Sequence, residues 1–454
     1  MISVETYALP MDKPRAARPT IKFIDEYCAS YRNLFPEVRS FESFKHLHVG
    51  MISSIKRKTL PEIAKVVGLD QEQSLHHFLT KSPWEVRELR KQRLNLILRA
   101  LKGRKIYLII DETGDKKKGK RTDYVSRQYL GKLGKIDNGI VAVTAWGLID
   151  GITLPLIFEV YKPQQRLLNG DTYRSKPEIA AQMVREINQM GFEIELVLAD
   201  SLYGESESKF LGCLEDLRLS FAVAIRRNHG VWLPKGQTVR CNRWRKFERI
   251  FSDKTQEVRY VREIIFGKKR SRRFWEITTD PEIMPENSTW YVMTEIPGLN
   301  YKDVGNLYGC RNWVEYGLDQ SKNELGWADF RLIQYQDIEK WWEIVCSAYL
   351  LVSLFADLPK TSEKNTPSIP GSKVRELLGE HPHWDEGTGW KNWLNNLRLI
   401  SLPFCCFNLI LPWLKVFSIP QLSLGFSRLI ALMNFFPSAV PQFTKEGNFQ
   451  FSSA

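Results

Sequence analysis

The spacing of apolar residues changes along the chain, and each change predicts a different kind of element. Through residues 1–100 the apolar positions recur at helical spacing, so this stretch reads as helices. Within it, Leu60-Pro-Glu-Ile-Ala-Lys-Val-Val-Gly-Leu-Asp and the following Gln71 to Thr80 have a helix-turn-helix pattern. Gly68 supplies the turn, and Ile63, Val67, Leu75 and Phe78 are expected to face inward. The residues leave a plain helical bundle equally open.

From residue 105 the pattern shortens. Lys105-Ile-Tyr-Leu-Ile-Ile-Asp111 is a continuous apolar run ending in an acid, which predicts a buried strand. Gly139 to Asp150 and Leu154 to Tyr161 predict two more strands, joined at the Asp150-Gly151 turn. Pro177 to Met190 returns to helical spacing and stops at Gly191. Glu195-Leu-Val-Leu-Ala-Asp200 is a second apolar strand ending in Asp; a helix over 205–219 and a strand over 221–227 follow. Three strands, helix, strand, helix, strand predicts an α/β domain on a mixed sheet.

Residues 228–287 break that alternation with strand-like runs such as Glu257-Val-Arg-Tyr-Val-Arg-Glu-Ile-Ile. They predict an inserted β-rich subdomain. A strand over 289–294, a helix over 304–325 and a more apolar helix over 338–358 come next. Thr361 to Gly371, rich in Ser, Thr, Pro and Lys, predicts a linker to a small helical appendage. The expected divisions are therefore 1–100, 101–227, 228–287, 288–360 and 361–454.

Composition adds a partner. In 454 residues, 65 Lys and Arg against 52 Asp and Glu leave +13, which favours a polyanion. Between Ile225 and Trp275 there are sixteen Lys and Arg against four acids, so 16 − 4 leaves +12 in that one window. Seven cysteines without metal-ligand spacing or an even framework suit a reducing cytoplasm. The apolar stretch Leu399 to Phe417 invites a membrane reading. Pro403, Asn408, Pro412 and Lys415 interrupt it, and a buried helical pair is expected there, with no membrane partner.

The candidate chemistry sits at strand ends. Asp111 and Asp200 each close an apolar strand, where open α/β sheets commonly bind ligands. Carboxylates there suit Mg²⁺ or Mn²⁺ beside phosphates, although an Asp at a strand end also serves as a plain turn or cap residue. In Tyr308-Gly-Cys-Arg311-Asn-Trp-Val-Glu315 and on to Lys322, helical spacing sets Arg311, Glu315 and Lys322 on one side, one turn after Tyr308. Such a helix could bind a metal beside phosphates, or could simply pair Arg311 with Glu315.

That segment resembles, at every position, the Y-(2)-R-(3)-E-(6)-K signature of bacterial insertion-sequence transposases with a DDE triad on an RNase H-like core. Two further stretches are similar to a branch of the same group. One is Asp111-Glu-Thr-Gly-Asp-Lys-Lys-Lys-Gly-Lys with Arg127-Gln-Tyr-Leu-Gly-Lys-Leu-Gly134 downstream; the other is Ala199-Asp-Ser-Leu-Tyr-Gly204. Glu112 departs from the branch, which more often has Asp at that position. The resemblance spans about residues 105–358. It implies cut-and-paste cleavage and strand transfer at an element's terminal inverted repeats, with Asp111, Asp200 and Glu315 holding two Mg²⁺ or Mn²⁺ ions. A catalytically inactive, domesticated DNA-binding protein of the same fold is the alternative.

The resemblance also implies that Tyr308, Arg311 and Lys322 contact DNA backbone, and that Trp290 stacks on a flipped base, although an aromatic residue on a strand could equally just pack the sheet. Lys117, Lys118, Lys120 and Arg121, just after the first acid, are expected to guide the duplex. Lys268, Lys269, Arg270, Arg272 and Arg273 of the insertion are expected to bind phosphates. A homodimer in the DNA complex is expected as well.

Overall fold

The computed structural model describes residues 15–230, 235–236, 238–251, 255–266, 272–357 and 370–436. Five helices come first: α1 (Lys22–Ala29), α2 (Val38–Ile52), α3 (Leu60–Val66), α4 (Gln73–Thr80) and α5 (Val86–Leu101). Ile63, Val67, Leu75 and Phe78 are buried as their spacing implies, and Gly68 turns the chain at φ 73°.

Strands β1 (Ile106–Lys116), β2 (Ser126–Leu130), β3 (Lys135–Ile149) and β4 (Ile152–Val160) follow. β2 pairs with the start of β3, a hairpin that the apolar pattern did not announce because its exposed residues carry no run. Helix α6 (Lys176–Gln189) leads to β5 (Ile194–Ala199), the short helices α7 (Ser201–Gly204) and α8 (Gly212–Asp216), and β6 (Phe221–Ile225). One helix was expected over 205–219. The chain instead inserts a wider π-type turn at Glu207–Leu211 between the two short helices.

The first sheet order is β4-β3-β1-β5-β6, with β1/β3 and β3/β4 antiparallel and β1/β5 and β5/β6 parallel. That is the RNase H-like arrangement. It places the C-terminal ends of β1 and β5 side by side.

The basic insertion supplies β7 (Val239–Cys241), β8 (Arg245–Ile250), β9 (Gln256–Phe266) and β10 (Arg273–Thr278), then β11 (Trp290–Glu295). β11 pairs with β6, β10 with β11 and β9 with β10. The expected β-rich insertion therefore continues the core sheet edge to edge. Its inner row, Val261, Ile277 and Val292, is fully buried.

Helices α9 (Tyr301–Gly309), α10 (Trp313–Asn323) and α11 (Tyr335–Asp357) follow, then α12 (Pro370–Gly379), α13 (Trp390–Val416) and α14 (Pro420–Met433). The expected single helix over 304–325 is broken at a 3₁₀ turn, Cys310–Asn312. Most of the expected linker lies outside the described residues, and Pro370 already opens α12. The C-terminal region is no mere appendage: Trp390 stacks on Tyr349 of α11 at 4.3 Å, and Asn408 donates to the Val66 carbonyl of α3 at 3.0 Å.

The expected boundary at residue 100 is likewise crossed by buried charge. Arg93 of α5 is fully buried, donates to the Pro155 and Leu156 carbonyls of β4, and pairs with the buried Glu343 of α11 at 2.5 Å. Arg90 pairs with Glu343 at 3.1 Å.

Candidate active site

Burial of Ile106, Leu108, Ile109 and Ile110 on β1, and of Val197, Leu198 and Ala199 on β5, fixes both strands in the core. Their parallel register sets Ile110 opposite Ala199, so the next residues, Asp111 and Asp200, emerge as neighbours. Asp200 caps α7, its Oδ1 accepting the Leu202 amide at 3.0 Å; Asp111 Oδ1 accepts the Glu112 amide at 2.8 Å. Successive strand residues face opposite sides. Glu112 accordingly pairs with Lys176 at the start of α6, while Asp111 faces the turn between α9 and α10.

The Tyr203-Gly204 pair explains itself here. A Cβ on Gly204 would stand 2.0 Å from the Ala224 carbonyl oxygen of β6, a backbone atom that cannot swing away. Gly204→Ala is expected to lower stability by about 3 kcal/mol, the upper end of overpacking costs, and to displace Asp200. Chemical denaturation would measure it, and an unchanged midpoint would show that α7 relaxes freely.

Arg311 sits in the 3₁₀ turn and joins two acids: its Nη2 lies 2.9 Å from Asp111 Oδ2 and its Nη1 3.5 Å from Glu315 Oε1. Burial pushes the Asp111 carboxyl up to about 7; Arg311 opposes the shift and the like charge of Asp200 adds to it. Glu315, in the first turn of α10, is largely exposed. Among the described residues no three Asp, Glu, His or Cys side chains lie close enough to share one ion. The expected convergence of Asp111, Asp200 and Glu315 is thus incomplete in this arrangement, because the guanidinium of Arg311 bridges Asp111 and Glu315. The donor chemistry still fits a hard divalent cation: two neighbouring carboxylates, one resisting ionisation, are relieved by added positive charge.

α10 approaches β3 closely at Gly317, where a Cβ would meet the Trp146 ring at 2.9 Å. On the same helix Lys322 pairs with Asp115 at 3.1 Å and donates to the Gly114 carbonyl at 2.9 Å, so it fastens the end of β1. Tyr308 is buried, and burial pushes its phenol up to about 12.

Trp290, half-buried, meets Tyr308 edge-on at 5.5 Å. The guanidinium carbons of Arg249 and Arg259 each lie 4.5 Å from its ring centroid. Both arginines are buried, and burial holds Arg249 down to about 10, with Arg259 adding to the shift. Sequence reading missed this pair. Their only signal was alternation on β8 and β9, which set them on the same face as Phe247 and Val261.

The other sequence candidates divide. Lys118, Lys120 and Arg121 are exposed, whereas Lys117 lies 3.5 Å over the Phe330 ring. Lys268, Lys269 and Arg270 lie outside the described residues. Arg272 pairs with Glu207 and Glu215, and Arg273 pairs with Glu263 and donates to the Leu299 carbonyl, so both are engaged within the protein. Exposed cations instead cluster at Arg240, Arg243, Arg245 and Lys246 around β7 and β8.

A family model described as DDE superfamily endonuclease matches residues 33–263, a span that includes Asp111 and Asp200. The chain is 62% identical over 329 residues to the "Probable transposase for insertion sequence element IS701" of Microchaete diplosiphon, over 72% of this chain and 87% of that one. Among solved structures it is similar to "Cryo-EM structure of piggyBac transposase synaptic complex with hairpin DNA (SNHP)", at 10% identity and TM-score 0.41 over 94% of this chain and 84% of that one.

Proposed function

We propose, from the premise that this chain belongs to the DDE superfamily of endonucleases and is a DDE-type insertion-sequence transposase, that Asp111, Asp200 and Glu315 are its catalytic carboxylates. The observation that carries this reading is the adjacency of Asp111 and Asp200 on parallel strand ends, with Glu315 tethered to the same place through Arg311.

The chemistry of this family depends on divalent metal, and the reading assigns two Mg²⁺ or Mn²⁺ ions to these carboxylates. When bound, such ions make water or a 3′-hydroxyl a better nucleophile and stabilise the leaving oxygen. The chain's own residues orient the rest. Asp200 is held by the Leu202 amide, Asp111 by the Glu112 amide, and Arg311 lies between Asp111 and Glu315, where a scissile phosphate needs a charge-assisted donor. The substrate is double-stranded DNA at the element's terminal inverted repeats, cut and then joined to target DNA in the cytoplasm.

The exposed face of α4, with Gln73, Ser74, His76 and His77, is the assigned reader of those repeats. Lys118, Lys120, Arg121 and the exposed cations of β7 and β8 hold phosphates without reading sequence. Trp290 stacks on an unpaired base. An aromatic face returns about 1–3 kcal/mol per base, but one of its two flanking arginines must first move aside.

The test is nicking of a supercoiled plasmid carrying the element's ends, with and without Mg²⁺. Nicks at the ends only with the ion support the reading, and their absence under every divalent ion overturns it. Lys322 offers a narrower test, since its ammonium has one N–H left beyond Asp115 and Gly114. Lys322→Ala is expected to impair cleavage and to reduce the log–log salt slope of end binding by about one. An unchanged slope with impaired cleavage would assign Lys322 wholly to holding β1.

A further inference from the structure

The C-terminal helices leave an apolar surface that the catalytic reading does not use. The first half of α13 is core: Trp390, Trp393, Leu394, Leu397 and Ile400 are buried. Its second half and α14 form a hairpin, pinned where Phe407 and Phe426 approach at 5.5 Å. Among the described residues α14 has no buried side chain. Half of the well-exposed large apolar residues of the described chain, eleven of twenty-two, fall between Leu402 and Phe435. A patch of that kind marks an interface.

We infer that this hairpin is the surface through which two copies of the chain associate. The spacing argues for a helical partner. Leu402, Leu409 and Val416 recur every seventh residue with Trp413 three before the last, and Leu422 and Leu429 repeat the step on α14. Exposed apolar residues at heptad spacing are the seam that a second helix covers. Charge excludes nucleic acid, because between Ile400 and Met433 only Lys415 and Arg428 are charged. The partner is therefore apolar, helical and nearly neutral, which describes the hairpin itself, and two hairpins packed about a twofold axis make a four-helix bundle.

Area agrees. At roughly 200 Å² for each fully exposed large side chain, these residues offer about 1,000 Å², against about 800 Å² per partner in a stable interface. The lipid alternative is weaker. α13 is long and apolar enough to cross a membrane as a whole. Its second half, Leu402 to Val416, still buries Cys405 and reaches only about 22 Å, short of a hydrocarbon core of about 30 Å. The inference rests on the transposase reading in one respect: an element has two ends, each protomer has one candidate site, and joint cutting needs two copies.

The test is the mass of the full chain by light scattering at about 10 μM, alone and with end DNA, beside Trp413→Glu with Val416→Glu. Both side chains are exposed, so the variant is expected to keep its circular dichroism and melting temperature. Once the mass of any bound DNA is subtracted, the wild type is expected at twice 52.9 kDa and the variant at 52.9 kDa. A monomeric wild type in both conditions, or a variant that still dimerises, overturns the inference. So does a monomeric full chain that dimerises only when cut after Phe436, which would mean that its own tail covers the face. Wild-type flotation with phosphatidylglycerol–phosphatidylcholine vesicles and no dimer would assign the face to lipid and overturn it too. A monomer that nicks element ends defeats only this inference, whereas a dimer that never nicks defeats only the transposase reading.

Discussion

Asp200→Asn is expected to abolish strand cleavage while leaving the fold and DNA binding nearly unchanged. Asn is as good a helix cap as Asp, so the bond to the Leu202 amide survives and α7 stays in place. What is lost is one negative charge beside Asp111. A carboxylate that holds a metal at the reacting phosphate contributes several kcal/mol of transition-state stabilisation, so about 4 kcal/mol corresponds to a loss of roughly a thousandfold. The measurement is single-turnover nicking of an end-bearing duplex, with gel-shift affinity as the control. Cleavage within tenfold of wild type would remove Asp200 from the site. Equal loss of affinity and cleavage would point to a folding defect.

The second large effect is on stability. Glu343→Ala is expected to cost about 3–5 kcal/mol, because removing one partner of a buried ion pair leaves its counter-charge uncompensated. Glu343 is wholly buried and faces two guanidinia; Arg93 would keep only the Pro155 and Leu156 carbonyls. Glu343→Gln, which retains an acceptor oxygen, should cost less. Urea unfolding followed by tryptophan fluorescence measures both, and a loss below 1 kcal/mol for the alanine variant would show that water reaches Arg93. The same experiment bears on organisation. Because α5, β4 and α11 meet at this network, the N-terminal helices and the catalytic sheet are expected to unfold together.

Much was legible without coordinates, wherever the signal was local. Apolar runs that end in Asp111 and Asp200 specify two buried strands, since a stretch buried on both faces must be apolar throughout. Asp150-Gly151 specifies the turn between β3 and β4, where both residues take positive φ. Helical spacing from Pro177 and the stop at Gly191, which takes φ 89°, specify α6. The order of these elements then gave the α/β class, and the spacing of Tyr308, Arg311, Glu315 and Lys322 gave the family resemblance.

Tertiary structure decided the rest, and in each case the deciding contact is distant in sequence. The helix expected over 304–325 breaks at a 3₁₀ turn, and from that turn Arg311 reaches Asp111, 200 residues away. Lys322 was expected to contact DNA backbone, and only the structure shows that Asp115 on β1 also holds it. Arg272 and Arg273 looked like DNA contacts and instead close ion pairs with Glu207, Glu215 and Glu263. The two arginines beside Trp290 come from strands whose pairing sets their position. The segment after Leu399 is the clearest case. Its composition called for burial, and a buried helical pair was expected, but α11 covers only the first half of α13. Apolar character is written in the residues one by one, whereas what covers them is a property of the whole packed chain: α11 shields Trp390 and leaves Trp413 in water.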